Sequence, residues 1–225
     1  MHAQLAREGF RVSKRRVERI MREHGLVART RRKVVRTTIA DPNAAPAPNL
    51  LGRDFSTTGP NQKWVTDLTY VETTEGFVYL SLIQDLFSGR VVGWAMDDSM
   101  ETDLCVRALQ MAIEERRPLP GLVHHSDRGS QYTSHAYRAA LDANKMICSM
   151  SRRAQCWDNA PAESIFGRIK EELFPSHQWQ TKEQARAEIV TYLQSYFNSK
   201  RIKKRLGYSC PIDYELRHGL MPLAA

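Results

Sequence analysis

Three acidic residues stand out in this sequence of 225 amino acids, because each sits where a charge is hard to place. Asp67 lies inside the run Trp64-Val-Thr-Asp-Leu-Thr-Tyr70, among residues that favour a β-strand. A carboxylate in the middle of a strand is costly unless something compensates it. Asp127 comes directly after a short apolar strand, in His124-His-Ser-Asp-Arg-Gly-Ser-Gln-Tyr132. The carboxyl end of a strand beside a reversal of strand order is where open α/β sheets place their sites. Glu163 opens a helix that starts near Asp158-Asn159-Ala160-Pro161. The apolar stripe of that helix, Ala162, Ile165, Phe166, Ile169 and Leu173, leaves Glu163 on another face, shared with Gly167 and Lys170. Carboxylates gathered in one place can hold hard, oxygen-seeking cations such as Mg²⁺, and two such ions roughly 3.5–4 Å apart are a means of attacking a phosphodiester. On the helix, Gly167 leaves room for a substrate backbone and Lys170 can meet a phosphate.

Each acid also has a plain structural reading. Asp67 could cap a bulge, Asp127 could open a turn before Gly129, and Glu163 could favour the helix dipole from the first turn. Asp85, equally isolated, is assigned to the end of the second strand and the Ser88-Gly89 turn. What separates the trio from Asp85 is the topology that the remaining elements require.

Trp64–Val71, Phe77–Ile83 and Arg90–Met96 read as strands, joined by turns at Glu75-Gly76 and Ser88-Gly89, and so form an antiparallel meander. Thr102–Arg116 follows as a helix that Pro118 and Pro120 end. Leu122–His124 reads as a strand, Ser134–Ala143 as a helix and Met146–Ser149 as a strand, with two long helices at about 160–174 and 182–197. Helices between the later strands imply parallel crossovers. The expected fold is therefore α/β, a ribonuclease-H-like mixed sheet of five strands with flanking helices. In that sheet strands one and four are neighbours, so Asp67 and Asp127 would lie side by side.

Ahead of this body, residues 1–39 read as a small basic helical segment. A short helix at about 2–8, a break at Gly9 and a helix opened by Ser13 and closed by Gly25 give the outline of a helix-turn-helix. Val17, Ile20 and Met21 form its apolar stripe, while Lys14, Arg15, Arg16, Arg19 and Arg22 project elsewhere. Because the first helix starts at residue 1, the unit is expected to lack an opening helix. Residues 40–62, with Pro42, Pro46, Pro48 and Pro60, read as a linker. Residues 63–175 would be the core, and 176–225 a C-terminal helix with a basic tail.

The distribution of charge supports this division. Residues 1–60 hold 13 basic and 5 acidic side chains, whereas residues 61–225 hold 20 of each. The whole net charge of +8 thus sits in the first quarter, as suits a polyanionic partner. No stretch approaches the roughly 18–20 apolar residues of a membrane span, and the N-terminus has no secretory-signal pattern. Cys105, Cys148, Cys156 and Cys210 form neither a Cys-x-x-Cys pair nor a zinc-finger spacing, so a reduced, cytoplasmic protein without structural zinc is expected.

Several of these segments carry a resemblance. Trp64-Val-Thr-Asp-Leu-Thr-Tyr70, Val91-Val-Gly-Trp94, His125-Ser-Asp-Arg-Gly-Ser-Gln-Tyr132, Ser149-Met-Ser-Arg152, Cys156-Trp-Asp-Asn-Ala160 running into Glu163-Ser-Ile-Phe166, Tyr196-Phe-Asn198 and Leu206-Gly-Tyr208 with Pro211 resemble the OrfB-type transposases of bacterial insertion sequences, whose catalytic domain is shared with retroviral integrases. The match covers roughly residues 60–215, and the N-terminal segment resembles the helix-turn-helix that precedes that core. The resemblance implies a catalytic triad of Asp67, Asp127 and Glu163, with the 35 residues 128–162 between the last two as the family interval. It also implies two Mg²⁺ or Mn²⁺ ions, one between Asp67 and Asp127 and one between Asp67 and Glu163, used for strand cleavage at the element end and joining to target DNA. Arg128, Asn159 and Lys170 are expected to contact DNA near the site, and Lys14, Arg15, Arg16 and Arg19 to contact it from the N-terminal segment. His125 would orient the metal site or pack beside it. A homo-oligomer on DNA, and an upstream helical partner or fusion, are the further partners implied. Relatives usually carry a His-Ser pair where this chain has Lys203-Lys204, and the Cys and His residues do not form the zinc domain of retroviral integrases. The competing reading is a DNA-binding protein or regulator without catalysis, for which the basic N-terminal quarter would suffice. A hybrid nuclease on the same fold would need neither the helix-turn-helix nor the basic tail.

Overall fold

A computed structural model describes residues 1–26, 46–153, 155–173 and 179–219. The five strands are β1 (Lys63–Thr73), β2 (Gly76–Asp85), β3 (Val91–Asp97), β4 (Val123–Ser126) and β5 (Ile147–Met150), in spatial order β3-β2-β1-β4-β5. β1, β2 and β3 form the antiparallel meander, while β4 pairs parallel with β1 and β5 parallel with β4. The expected mixed sheet is present, with β1 at its centre.

Both faces are covered. On one face α3 (Thr102–Arg116), the single turn α4 (Ser130–Thr133) and α5 (His135–Ala143) pack Cys105, Leu109, Tyr132 and Leu141 against Trp64, Ile83 and Val92. On the other, α6 (Ala160–Glu172) and α7 (Lys182–Tyr192) bring Ile165, Phe166, Ile169, Ala185 and Ile189 onto Val71, Val78, Leu80 and Leu82. The period-2 alternation of a strand buried on both faces makes this possible. Gly93 in β3 is needed for contact: a Cβ there would collide with the Ala108 carbonyl and come within 2.7 Å of Ala112 Cβ, so α3 rests directly on the strand.

α7 does not run straight to residue 197. It passes into a π turn (Leu193–Phe197), and Asn198 then pins the chain to β3, accepting from Val91 N and donating to Val91 O, both at 2.9 Å. A further helix, α8 (Pro211–Arg217), has Cys210 as its cap and Pro211 in its first turn, which the reading of 176–225 as helix and basic tail did not separate. Its Glu215 is buried and accepts from Ser88 Oγ (2.7 Å), Arg90 and Arg116, tying the C-terminus to the β2–β3 turn and to α3. Asp85 belongs to the same brace: it accepts from Asn61 N (2.8 Å) and Phe87 N (2.9 Å) and faces Arg116.

Residues 46–62 are irregular, as prolines dictate, but they are laid against the body rather than spanning open space. Leu51 is buried with Val65, Leu86 and Ala162, Met150 N donates to Pro48 O (3.2 Å), and Leu50 N donates to Ser149 Oγ (3.0 Å). The other part of the expected linker, 40–45, lies outside the described residues, as do residues 27–39 of the N-terminal segment. Within 1–26, α1 (His2–Arg7) and α2 (Lys14–Glu23) are present; Ser13 Oγ accepts from Arg16 N, and Gly25 takes a left-handed φ of 62° after the helix. Arg7 pairs with Asp213 of α8.

Candidate active site

The parallel register of β1 and β4 sets Val65 opposite His125. Two residues further along the chain come Asp67, still inside β1, and Asp127, just past the end of β4, so this register brings the two side by side. Asp67 alternates with Val65 and Val71, so its side chain belongs to the face that α6 covers. α6 is anchored at its start: Asn159 Nδ2 donates to the carbonyl of Thr66, one residue before Asp67, at 3.1 Å, and Ala162 packs on Val65. Glu163, in the next position, is exposed on the first turn.

Electrostatics show how closely these groups meet. The Asp67 carboxyl is pushed well above its ordinary range, first by burial and then by the negative charge of Asp127. A hydrogen bond from Leu68 N to Oδ1 at 2.8 Å opposes this, Glu163 adds to it, and Lys170 opposes it weakly. Two acids distant in sequence thus both act on Asp67. Asp127 Oδ1 also accepts from Gly129 N at 2.9 Å, so the turn reading of this residue holds. Lys170 lies half-buried with Nζ 5.3 Å from the Tyr70 ring centre, its ammonium pushed down by burial and partly restored by Asp67.

The donor set suits a hard cation, because all three side chains offer only oxygen. Among the described residues, no three His, Cys, Asp or Glu side chains are close enough to grip one ion at once.

The other expected contacts are placed as follows. Asn159 is buried with its amide committed to β1, and its Oδ1 has no partner among the described residues, so it acts as a brace rather than a surface group. Arg128 Nε donates to the Ser151 carbonyl at 2.7 Å and steadies the segment after β4. Buried His125 is held between Ser149 Oγ (2.8 Å) and Ser151 Oγ (3.2 Å), and burial pushes it down to about 4, so it is neutral and packs beside the site. Lys14, Arg15, Arg16 and Arg19 are all exposed on α2, with Lys14 and Arg19 each 3.6 Å from a glutamate one turn on.

One group escaped the sequence reading. Asp158, just before α6, has a fully buried side chain that accepts from Asn49 (2.8 Å), Arg53 (2.8 Å) and the backbone and guanidinium of Arg152. These bonds, Arg152 foremost, hold its carboxyl far below the usual range. The clamp fastens the start of α6, and with it Glu163, to residues 46–62 and the end of β5. The signal in the sequence was an aspartate inside Cys156-Trp-Asp-Asn159 six residues after Arg152, but its other partners, Asn49 and Arg53, lie about a hundred residues away.

Comparison with known proteins decides the family. The integrase core domain matches residues 57–156 and again 163–218, and an HTH-like domain matches residues 1–34. An uncharacterized 31 kDa protein of insertion element IS600 from Shigella sonnei is 38% identical over 221 residues, covering 98% of this chain and 81% of that protein. The chain belongs to the insertion-sequence transposases with an integrase core. The transposase for insertion sequence element IS629, also from Shigella sonnei, is 41% identical over 212 residues, covering 94% of this chain and 71% of that one. Among solved structures, the HTLV-2 integrase catalytic core domain in complex with magnesium superposes with a TM-score of 0.55 at 16% identity, over 71% of this transposase and 99% of that chain, and so shares its fold. The function of this transposase is insertion-sequence transposition, a nucleotidyl transfer on DNA, and nothing in these comparisons favours the non-catalytic reading. Among the described residues no helix is long and apolar enough to cross a membrane.

Proposed function

We propose that Asp67, Asp127 and Glu163 are the catalytic carboxylates of this transposase, and that they hold Mg²⁺ or Mn²⁺, two ions in the active complex, for cleavage of the element end and its joining to target DNA. The observation that carries this reading is the mutual electrostatic pressure on Asp67 from two acids that arrive on other elements. Such a concentration of like charge is unfavourable alone and favourable around cations. The ions, when bound, would activate the attacking water or 3′-hydroxyl and stabilise the leaving 3′-oxygen of an in-line displacement.

The chain's own residues supply position. Asp67 is held by the sheet centre and by Leu68 N, Asp127 by the turn to Gly129, and Glu163 by the Asn159 and Asp158 anchors at the start of α6. No side-chain nucleophile is called for, so no covalent enzyme–DNA intermediate is expected. Lys170, which feels the charge of Asp67, would meet a DNA phosphate, and so would Arg128, beside Asp127 in the chain. The exposed cations of α2 would add sequence-independent affinity for the backbone. A second copy of the chain on the DNA, and a helical upstream partner or fusion, complete the reading. The magnesium complex and the dimeric and trimeric forms named for HTLV-2 integrase support a divalent ion and self-association.

The test is strand transfer by the purified chain on a labelled duplex carrying the element end, with Mg²⁺ or Mn²⁺. Asp67→Asn, Asp127→Asn and Glu163→Gln should each abolish transfer while DNA binding persists. If any one of them retains near wild-type activity, the triad is misassigned.

A further inference from the structure

We infer that a groove between α6, the end of β2 and the segment Arg201–Arg205 is a second binding site for the DNA phosphate backbone, distinct from the helix-turn-helix and opening beside Glu163. The inference rests on the transposase reading, which supplies the polyanion.

The groove encloses about 490 Å³, within the usual range of ligand sites. Five cations line it, Arg168, Arg201, Lys203, Lys204 and Arg205, and among the described residues no aspartate or glutamate does. Arg201 is neutralised by a two-pronged pairing with Glu172 (2.8 and 2.6 Å), and Arg168 lies 3.6 Å from Glu171. For Lys203, Lys204 and Arg205, no carboxylate among the described residues lies at ion-pair distance. Lys203 Nζ instead donates to the Gly89 carbonyl (2.6 Å) and sits 4.4 Å from the Phe197 ring centre, while Arg205 donates to the Phe87 carbonyl (3.1 Å).

These two cations crowd the same glycine. Gly89 has a φ of 68°, and a Cβ on it would come within 2.7 Å of Lys203 Nζ and would also collide with the Arg205 guanidinium. Like charges packed this closely in a partly desolvated site repel unless an anion enters. The Lys203 ammonium is indeed pushed well below its ordinary value, by burial first and then by Arg205 and Arg201. The net charge of the whole chain, concentrated before residue 61, gave no hint of this local excess.

Phe55, Leu86 and Ile165 add an apolar wall to the lining. A free phosphate ion would satisfy the cations and leave that wall uncovered, whereas a DNA strand presents phosphates to one side and deoxyribose to the other. Ser164, beside Glu163 in sequence, also lines the groove, so a strand lying there would be led toward the proposed reaction centre.

The experiment measures the salt dependence of binding between the full chain and a mixed-sequence duplex by fluorescence anisotropy. The variants are Lys204→Gln and the double variant Arg168→Gln/Lys204→Gln, both altering exposed side chains. Each lost phosphate contact should lower the log–log slope by about 0.9, so the double variant should fall by about 1.8. A wild-type slope in the double variant overturns the site. Acetylation footprinting of the unmodified sequence provides a readout that no folding defect can disturb: duplex DNA should protect Lys204 several-fold. Equal protection by inorganic phosphate would make this a free-anion site, and stronger protection by a poly-glutamate peptide would make it a protein-docking surface; either result overturns the inference. Loss of the slope effect alone sinks the groove, whereas a wild-type chain that never transfers strands but shows the slope effect sinks only the reaction.

Discussion

Removing the charge of Asp67 while keeping its shape is the most searching perturbation of the proposed centre. Asparagine can still accept the 2.8 Å hydrogen bond from Leu68 N through its carbonyl oxygen, and it fits the same half-buried space. It no longer presses against Asp127 and Glu163 and no longer offers a charged ligand. Without metal, Asp67→Asn should therefore fold at least as well as the wild type. With metal the two should part: an ion at about a hundredfold excess over its dissociation constant stabilises the native state by about 2.7 kcal/mol. For a chain of this size roughly 2–4 °C accompanies each kcal/mol, so Mn²⁺ should raise the wild-type melting temperature by about 5–11 °C. The rise should vanish in Asp67→Asn, and strand transfer should fall by about 10²–10³-fold or more, as when one preorganised electrostatic group is lost from an active site. Differential scanning calorimetry with and without Mn²⁺, paired with the transfer assay, measures both. Equal metal-induced shifts in the wild type and the variant, or no shift in the wild type at saturating Mn²⁺, would refute the argument that like charges gathered around Asp67 signal a cation.

Two more outcomes follow from features away from the triad. Replacing Lys14, Arg15 and Arg16 together by glutamine should lower the salt slope of DNA binding by about 0.9 for each phosphate contact removed, and an unchanged slope would take α2 out of the interface. Glu215→Ala strands Arg90 and Arg116 in a buried site, but Arg116 keeps Asp85 and Arg90 keeps Glu115, so the cost should fall near the lower end for a broken buried pair, about 3 kcal/mol, or roughly 6–12 °C in melting temperature. The Glu215 carboxyl is held below its ordinary value because Arg116, Ser88 and Arg90 outweigh burial. Its contribution is therefore complete above the unfolded glutamate value near 4.3 and is lost as pH falls through the lower folded value, so melting curves of wild type and variant should converge in acid.

Local chemistry made most of the elements legible along the chain. Alternating β-branched and aromatic residues announced β1 to β3, Ser13 and Gly25 bounded α2, and the stripe from Ala162 to Leu173 announced α6. Boundaries shifted by a residue or two because strand ends depend on which neighbour pairs with them. β1 runs to Thr73, beyond the expected Val71, because β2 stays in register with it to the turn at Gly76. The single turn α4 and the helix α8 were too short for a period of 3.6 to emerge. Asp85 read correctly as structural, since its two backbone donors are the kind an aspartate meets at a strand end.

By itself, then, the sequence determined the order of elements, the basic N-terminal quarter and the candidate acids, all of which are written in residues near one another or in the single register of two parallel strands. Only the tertiary structure decided that residues 46–62 are strapped to the body, that Asn159 faces β1 instead of solvent, that Asn49 and Arg53, about a hundred residues away, clamp Asp158 at the start of α6, and that cations from 168 and 201–205 meet beside apolar side chains that include Phe55. The physical reason is the same in each case. Such contacts join irregular segments that share no period, so their side chains meet through the path of the folded backbone and leave no pattern along the chain.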